Sequence, residues 1–196
     1  MKKMRQLFQY VLSLLTLLFI TSCSKSSDDN SSGSTVTSVT DIDGNVYNAI
    51  TIGNQVWMTE NLKTTHYRNG DAITELTATD FDDWDKITSG GWTSYNDNPA
   101  TNIPIYGRLY NWRAVNDSRG LAPAGWHIPS DSEWKTLIAF LGNTAVAGGK
   151  MKSASTLWIS PNTDATNSSG FSAIPGGYRH YNGTFTGIGE QAYWWS

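Results

Sequence analysis

The sequence predicts an α+β domain with two short helices, small antiparallel sheets and long loops. Residues 130–141 have the spacing of a capped amphipathic helix, whereas the other apolar residues lie mainly in short runs separated by Asp-Gly, Gly-Asn and Asn-Gly turns. Nine Trp, nine Tyr and six Phe provide the packing that disulfides cannot, because the chain contains a single cysteine.

Residues 1–22 are predicted to be an export signal. Three cationic residues, Lys2, Lys3 and Arg5, precede an apolar run at 11–20 that is shorter than the roughly 20 residues of a transmembrane helix. Cys23 follows Ile-Thr-Ser in a sequence close to a bacterial lipobox, so we expect Cys23 to be the lipidated first residue of the mature protein. The alternative is cleavage elsewhere, with Cys23 in the tail of the signal.

Residues 23–38 are predicted to be a flexible tether because they consist mainly of Ser, Asp, Gly and Thr. Lys25 and the pair Asp28-Asp29 resemble the signal that sends Bacteroidota lipoproteins to the cell exterior, although an ordinary solvated linker explains them almost as well. The expected location is the outer membrane, facing the exterior, with the lipid on Cys23 as the membrane contact.

The charge balance argues against a nucleic-acid partner. The full chain has a net charge of −3, and residues 1–22 carry three of the 14 Lys and Arg but none of the 17 Asp and Glu, so the mature protein is more acidic still. A nucleic-acid-binding domain would need a basic stripe, and the sequence shows none.

The predicted domain, residues 39–196, begins with hairpins. Asp43-Gly44 and Gly53-Asn54 are turn signals, and residues 56–58 follow as a strand. Asp41 to Asn45 also has the start of a calcium loop, but Ile52 occupies the position of the bidentate Glu, so we favour a turn.

Residues 60–105 have little periodicity. Residues 61–67 are a candidate strand, and the aspartates at 80, 82, 83 and 85 surround Trp84. We interpret this acidic loop as solvated surface, with calcium binding as the less favoured alternative.

Two segments are predicted to be helical. The first covers Tyr106 to Val115, with an inner face of Leu109, Trp112 and Val115. In the second, Ser130 and Glu133 form a capping box, a stripe follows at 134, 137, 138 and 141, and Gly142 ends the helix. Residues 157–158 and 171–174 are strand-like, and Asn182-Gly183 predicts a hairpin between 178–181 and 184–185.

Six sequence blocks resemble the Fibrobacter succinogenes major paralogous domain. They are DIDGNVY (41–47), IGNQVWMTENL (52–62), YGRLYNW (106–112), PAGWHIPSDSEW (123–134), GFSAIPGGYR (170–179) and AYWWS (192–196). The resemblance implies an exported lipoprotein of Bacteroidota or Fibrobacterota, and it implies that the domain is incomplete at its C-terminus. The order of two helices is similar to the formylglycine-generating-enzyme branch of the C-type-lectin-like fold. That branch depends on reactive cysteines, which are missing after Cys23.

The sequence contains no catalytic motif with diagnostic residue spacing, and His66, His127 and His180 are isolated from one another. We expect no catalytic residue, no metal site and no cofactor. The candidate ligand-binding residues are Tyr178, Arg179, His180, Tyr181, Trp194 and Trp195, because aromatic faces stack on sugars and Arg donates forked hydrogen bonds. For both tryptophans, core packing is the favoured alternative. Trp126, Glu133 and Trp134 are expected to be structural.

The leading functional hypothesis is a surface-anchored, non-catalytic binding or adhesion module for glycan or protein ligands. The alternative is an enzyme or accessory protein of polysaccharide utilisation on a formylglycine-generating-enzyme-like scaffold. Without a catalytic cysteine or a metal motif in the sequence, the binding module is favoured.

Overall fold

The computed structural model describes residues 36–77 and 87–196, and there it confirms the α+β class. The export signal, Cys23, most of the tether and the acidic loop around Trp84 lie outside the described residues. Within them, no helix is both long and apolar enough to cross a bilayer.

The first sheet is an antiparallel meander of β1 (Val36–Thr40), β2 (Val46–Ile52) and β3 (Gln55–Met58). Residues 36–38 therefore belong to β1 and not to the tether, because they pair with residues 48–50 of β2. Both predicted turns are confirmed, with Gly44 and Gly53 at positive φ. Asp41 organises the first turn, since its carboxylate accepts hydrogen bonds from the Asn45 amide and, at 2.6 Å, from the Tyr47 hydroxyl.

The predicted helix at Tyr106–Val115 is wrong. Helix α1 (Pro99–Tyr106) ends where that prediction begins, because Gly107 adopts φ +74. The next residues form strand β6 (Leu109–Tyr110), and a single helical turn, α2 (Trp112–Val115), follows with Asn111 as its cap. Strand β6 completes a second sheet with β4 (Thr74–Glu75) and β5 (Gly91–Thr93). The candidate strand at 61–67 contributes only the single bridge between His66 and Ala72.

The second predicted helix is confirmed as α3 (Asp131–Phe140), with both hydrogen bonds of the capping box in place. Its apolar stripe meets the core, where Leu137 and Leu141 are buried against residues of β2, β3 and the segment 171–173. A further helix, α4 (Thr144–Met151), was not predicted, because Gly148 and Gly149 lie inside it. Gly149 is required by packing, since a Cβ there would lie 2.4 Å from the carbonyl oxygen of Asp164.

The described residues thus contain four short α-helices and not two. The last sheet is the predicted hairpin, with β7 (Gly176–Arg179) and β8 (Phe185–Ile188) on either side of the Asn182-Gly183 turn. Residues 171–174 do not form the predicted strand, and Ala173 makes only a bridge to Lys152. Residues 157–158 are likewise outside any strand.

Candidate functional site

An open groove of about 1360 Å³ runs between β3, β6, α2, the start of α3, the hairpin β7–β8 and the last residues of the chain. We call it the aromatic groove, because its lining includes Trp57, Trp92, Trp112, Trp126, Trp134, Tyr178, Tyr181, Tyr193, Trp194 and Trp195. Most of the candidate ligand-binding residues are therefore brought together at one site. His180 is the exception, because it does not line the groove.

Trp194 and Trp195 are held by their polar edges. The indole nitrogen of Trp194 donates to Asn61 Oδ1 at 3.2 Å, and that of Trp195 donates to the Tyr110 carbonyl at 3.0 Å. The backbone carbonyl of Trp195 also accepts a hydrogen bond from the indole nitrogen of Trp134. Because the indole N–H groups of Trp134, Trp194 and Trp195 are bound to the protein, the faces of these rings remain as the surface available to a ligand.

Trp112 and Trp195 form a half-exposed pair at the rim of the groove. Their ring centroids are 5.7 Å apart, and the residues are 48% and 44% exposed. Core packing therefore does not account for Trp195. The exposed faces of these two rings are apolar and planar, and a sugar ring can stack on such a face.

The floor of the groove is part of the core. Trp134 lies 4.7 Å from Trp57 and 5.9 Å from Trp194, measured between ring centroids, and Phe171 contacts both Trp134 and Trp194. Trp134 is only partly buried and lines the groove. Trp134 therefore contacts both the core and the groove.

The hairpin contributes tyrosines from its first strand and its tip. Tyr178 packs edge-on against Tyr193, with centroids 4.9 Å apart, and Tyr181 is strongly exposed. His180 stacks against Tyr181 at 4.1 Å and so supports a residue of the groove without lining it.

Arg179 has a structural role in place of the expected ligand contact. Its side chain is only 3% exposed, and its guanidinium donates to the hydroxyl of Thr93 and to the carbonyls of Leu76 and Gly183. Asp97 lies 3.5 Å away as an ionic partner. These bonds join the hairpin to β5 and to Leu76, which follows β4, so Arg179 is not among the ligand contacts that we propose.

The carboxylates that line the groove, Glu60 and Glu133, are both bound by the protein. Glu60 accepts from the backbone and side-chain nitrogens of Asn48. Glu133 accepts from the Ser130 amide and hydroxyl and contacts His127 Nε2 at 2.8 Å. The Ser130 amide, the Ser130 hydroxyl and then His127 lower the pKa of Glu133 to about 2. A general acid needs a raised pKa, so Glu133 is unsuited to that role.

Arg108 is a residue of the groove that sequence reasoning missed. Its guanidinium carbon lies 4.0 Å from the centre of the Trp92 ring, and it has no ionic partner in the described part of the chain. Nε and Nη1 are covered and have no hydrogen-bond acceptor among the described residues. Arg108 follows Gly107, which approaches Asn61 so closely that a Cβ would lie 2.7 Å from the Asn61 Cβ. The local sequence contains no signal for the role of Arg108, because this contact joins residues far apart in the chain.

Metal ligands are not clustered in residues 36–77 and 87–196, where no three His, Cys, Asp or Glu side chains are placed to hold an ion. Asp43 instead bonds to Thr64, Thr65 and His66 and fixes the segment after β3 to the first turn. Burial raises the pKa of Asp43, but the hydrogen bonds from Thr65, His66 and Thr64 outweigh it and lower the pKa to about 2.

The fold and the groove define an α+β domain of short sheets and helices that frames an aromatic-lined surface cleft. The chain belongs to the Fibrobacter succinogenes major domain family, whose model matches residues 50–196. No curated protein and no solved structure matches the chain. The C-type-lectin-like fold therefore stays a prediction.

Proposed function

We propose that this protein is a surface-anchored binding module that holds a glycan in the aromatic groove. The observation that carries the proposal is the Trp112–Trp195 pair, whose ring faces are half-exposed while the Trp195 indole nitrogen is bound to Tyr110. Rigid aromatic rings of this kind bind at a low cost in conformational entropy, because few torsions remain to be frozen.

Support for a sugar over an apolar ligand comes from the polar groups between the rings. Arg108 and Arg113 line the groove, and guanidinium N–H groups donate the hydrogen bonds that sugar hydroxyl groups accept. A protein ligand is the competing occupant. We favour a sugar, because the exposed indole faces of Trp112 and Trp195 lie in the same groove as guanidinium donors.

The enzyme alternative has less support. A glycosidase needs one carboxylic acid with a raised pKa beside a second carboxylate, and Glu133 has a lowered pKa and three hydrogen-bond contacts. We therefore propose binding without turnover.

The anchor in this proposal is a lipid on Cys23 that holds the domain at the outer membrane, facing the exterior, on a C-type-lectin-like scaffold. Support comes from the lipobox-like sequence and the tether. Labelling of cells with a radioactive fatty acid should mark the wild-type protein and not Cys23→Ala. External protease should degrade the anchored domain in intact cells; protection there would refute the exterior location.

The binding proposal is tested by a glycan array probed with the full-length protein, followed by calorimetric titration of the best glycan. Trp112→Ala should weaken binding about tenfold, which corresponds to about 1.4 kcal/mol for the loss of one stacking ring. Phe140→Ala is the matched control, because Phe140 is 64% exposed and lies outside the groove. Absence of any bound glycan, or equal losses in both variants, would refute the proposal.

A further inference from the structure

The aromatic groove contains two arginines without an ionic partner among the described residues, whereas its other Arg and its Glu side chains are bonded within the protein. Its carboxylates, Glu60 and Glu133, already accept hydrogen bonds from Asn48 and Ser130. Its cation Arg179 is likewise bonded within the protein. Arg108 and Arg113 remain, and neither has an ionic partner in the part of the chain that the structure describes.

Arg108 is held in position before any ligand arrives. Its guanidinium is stacked on Trp92, whose own indole nitrogen donates to the Ile73 carbonyl at 3.0 Å. Its backbone amide donates to the Leu62 carbonyl at 2.9 Å. A guanidinium fixed in this way loses little entropy when it binds, because its plane is already set.

The donors of Arg108 are incompletely used. Nε and Nη1 are covered and have no acceptor among the described residues, while Arg108 as a whole is partly exposed and lines the groove. A buried donor without an acceptor is unfavourable, and buried polar groups in native proteins are nearly always paired. A carboxylate in the groove would give this guanidinium the anionic partner that it lacks among the described residues, and its planar shape matches a guanidinium.

We propose that the groove selects an acidic glycan, in which a uronic-acid carboxylate pairs with Arg108 while neighbouring sugar rings stack on Trp112 and Trp195. Arg113, which is exposed at the same groove, adds positive potential. This inference rests on the proposed function and adds the charge of the ligand. An acidic peptide would satisfy Arg108 equally well, but it offers no sugar ring to the exposed indole faces.

The test compares an oligouronate with its methyl ester, which keeps the sugar chain and removes the charge. By calorimetric titration of the full-length protein, the acid should bind at least about tenfold more tightly than the ester, since a charge-assisted bond contributes about 1.5–3 kcal/mol. The preference should shrink when the salt concentration is raised from about 0.02 to about 0.5 M, because ions screen the pairing.

Three variants locate the charge effect. Arg108→Gln should remove most of the preference for the acid, Arg113→Gln should reduce it slightly, and Lys135→Gln should leave it unchanged. Lys135 is the matched control, because its side chain is 74% exposed and lies outside the groove. If Arg108→Gln is unstable, Arg108→Lys keeps the charge without the planar fork and should retain only part of the preference.

The outcomes separate the two proposals. Equal binding of acid and ester, or binding of neutral glycans alone, would overturn the acidic ligand and leave glycan binding standing. Binding of a poly-glutamate peptide without binding of the oligouronate would overturn the assignment to a sugar. Absence of binding by every glycan would refute the proposed function itself.

Discussion

Replacing Trp134 with alanine tests whether this side chain joins the aromatic groove to the hydrophobic core. A fully buried tryptophan would cost about 3–5 kcal/mol when truncated to alanine. Trp134 is only partly buried, but it contacts Trp57, Phe171 and Trp194 and donates to the Trp195 carbonyl. We therefore expect the free energy of unfolding to fall by about 2–3 kcal/mol.

The measurement is a urea melt followed by far-ultraviolet circular dichroism, with the loss read from the midpoint at constant slope. Trp112→Ala is the control, because Trp112 is exposed at the rim and its ring contact is with Trp195. It should cost less than about 1 kcal/mol. A loss below about 1 kcal/mol for Trp134→Ala, or equal losses in the two variants, would refute the view that Trp134 joins the groove to the core.

Three further predictions concern residues that hold the groove in place. Gly107→Ala should lower the free energy of unfolding by about 2 kcal/mol or more, because φ is +74 and the new Cβ would lie 2.7 Å from the Asn61 Cβ. The control is Gly148→Ala, which has open space around it and should be neutral or stabilising in the same urea melts. Arg179→Gln should cost about 3–5 kcal/mol in chemical unfolding, since it removes a buried cation from its acceptors; a loss within error would contradict its structural role. Asp43 has a folded pKa of about 2 against an ordinary 3.8, so its stabilisation is complete above about pH 4 and is lost as the pH falls towards 2. Thermal melts of wild type and Asp43→Asn should accordingly converge over that range, and a constant difference in Tm would disprove the linkage.

The elements that local sequence specifies were predicted correctly. The α3 helix has a capping box at Ser130 and an apolar stripe that ends in Leu141, and both signals depend only on residues within a few positions of each other. The turn at Gly44 is of the same kind, because Asp41 and Tyr47 complete it within seven residues.

The errors occurred where distant contacts override local pattern. Residues 106–115 have helical spacing, but Gly107 lies against Asn61 and Leu109–Tyr110 pair with β5, so strand pairing replaces the helix. Helix α4 was missed for the opposite reason. Its glycines argue against a helix, yet Gly149 is needed because Asp164 packs against it.

The site was predicted in part. Clustered aromatics near the end of the chain pointed to Tyr178, Tyr181, Trp194 and Trp195, which the structure gathers in one groove. The roles of the two arginines could not be predicted, because the partners of a guanidinium are set by residues far away in sequence. Arg179 bonds to Thr93, whereas Arg108 stacks on Trp92 and has two donors without an acceptor among the described residues.

The most direct test of the aromatic groove as a glycan site is nuclear magnetic resonance of the indole N–H groups during titration with the glycan of highest affinity. The resonances of Trp112, Trp194 and Trp195 should shift together and saturate at the calorimetric dissociation constant, while that of Trp158, which lies outside the groove, should stay in place. Saturable binding that shifts Trp158 and leaves the three groove tryptophans unchanged would contradict the account.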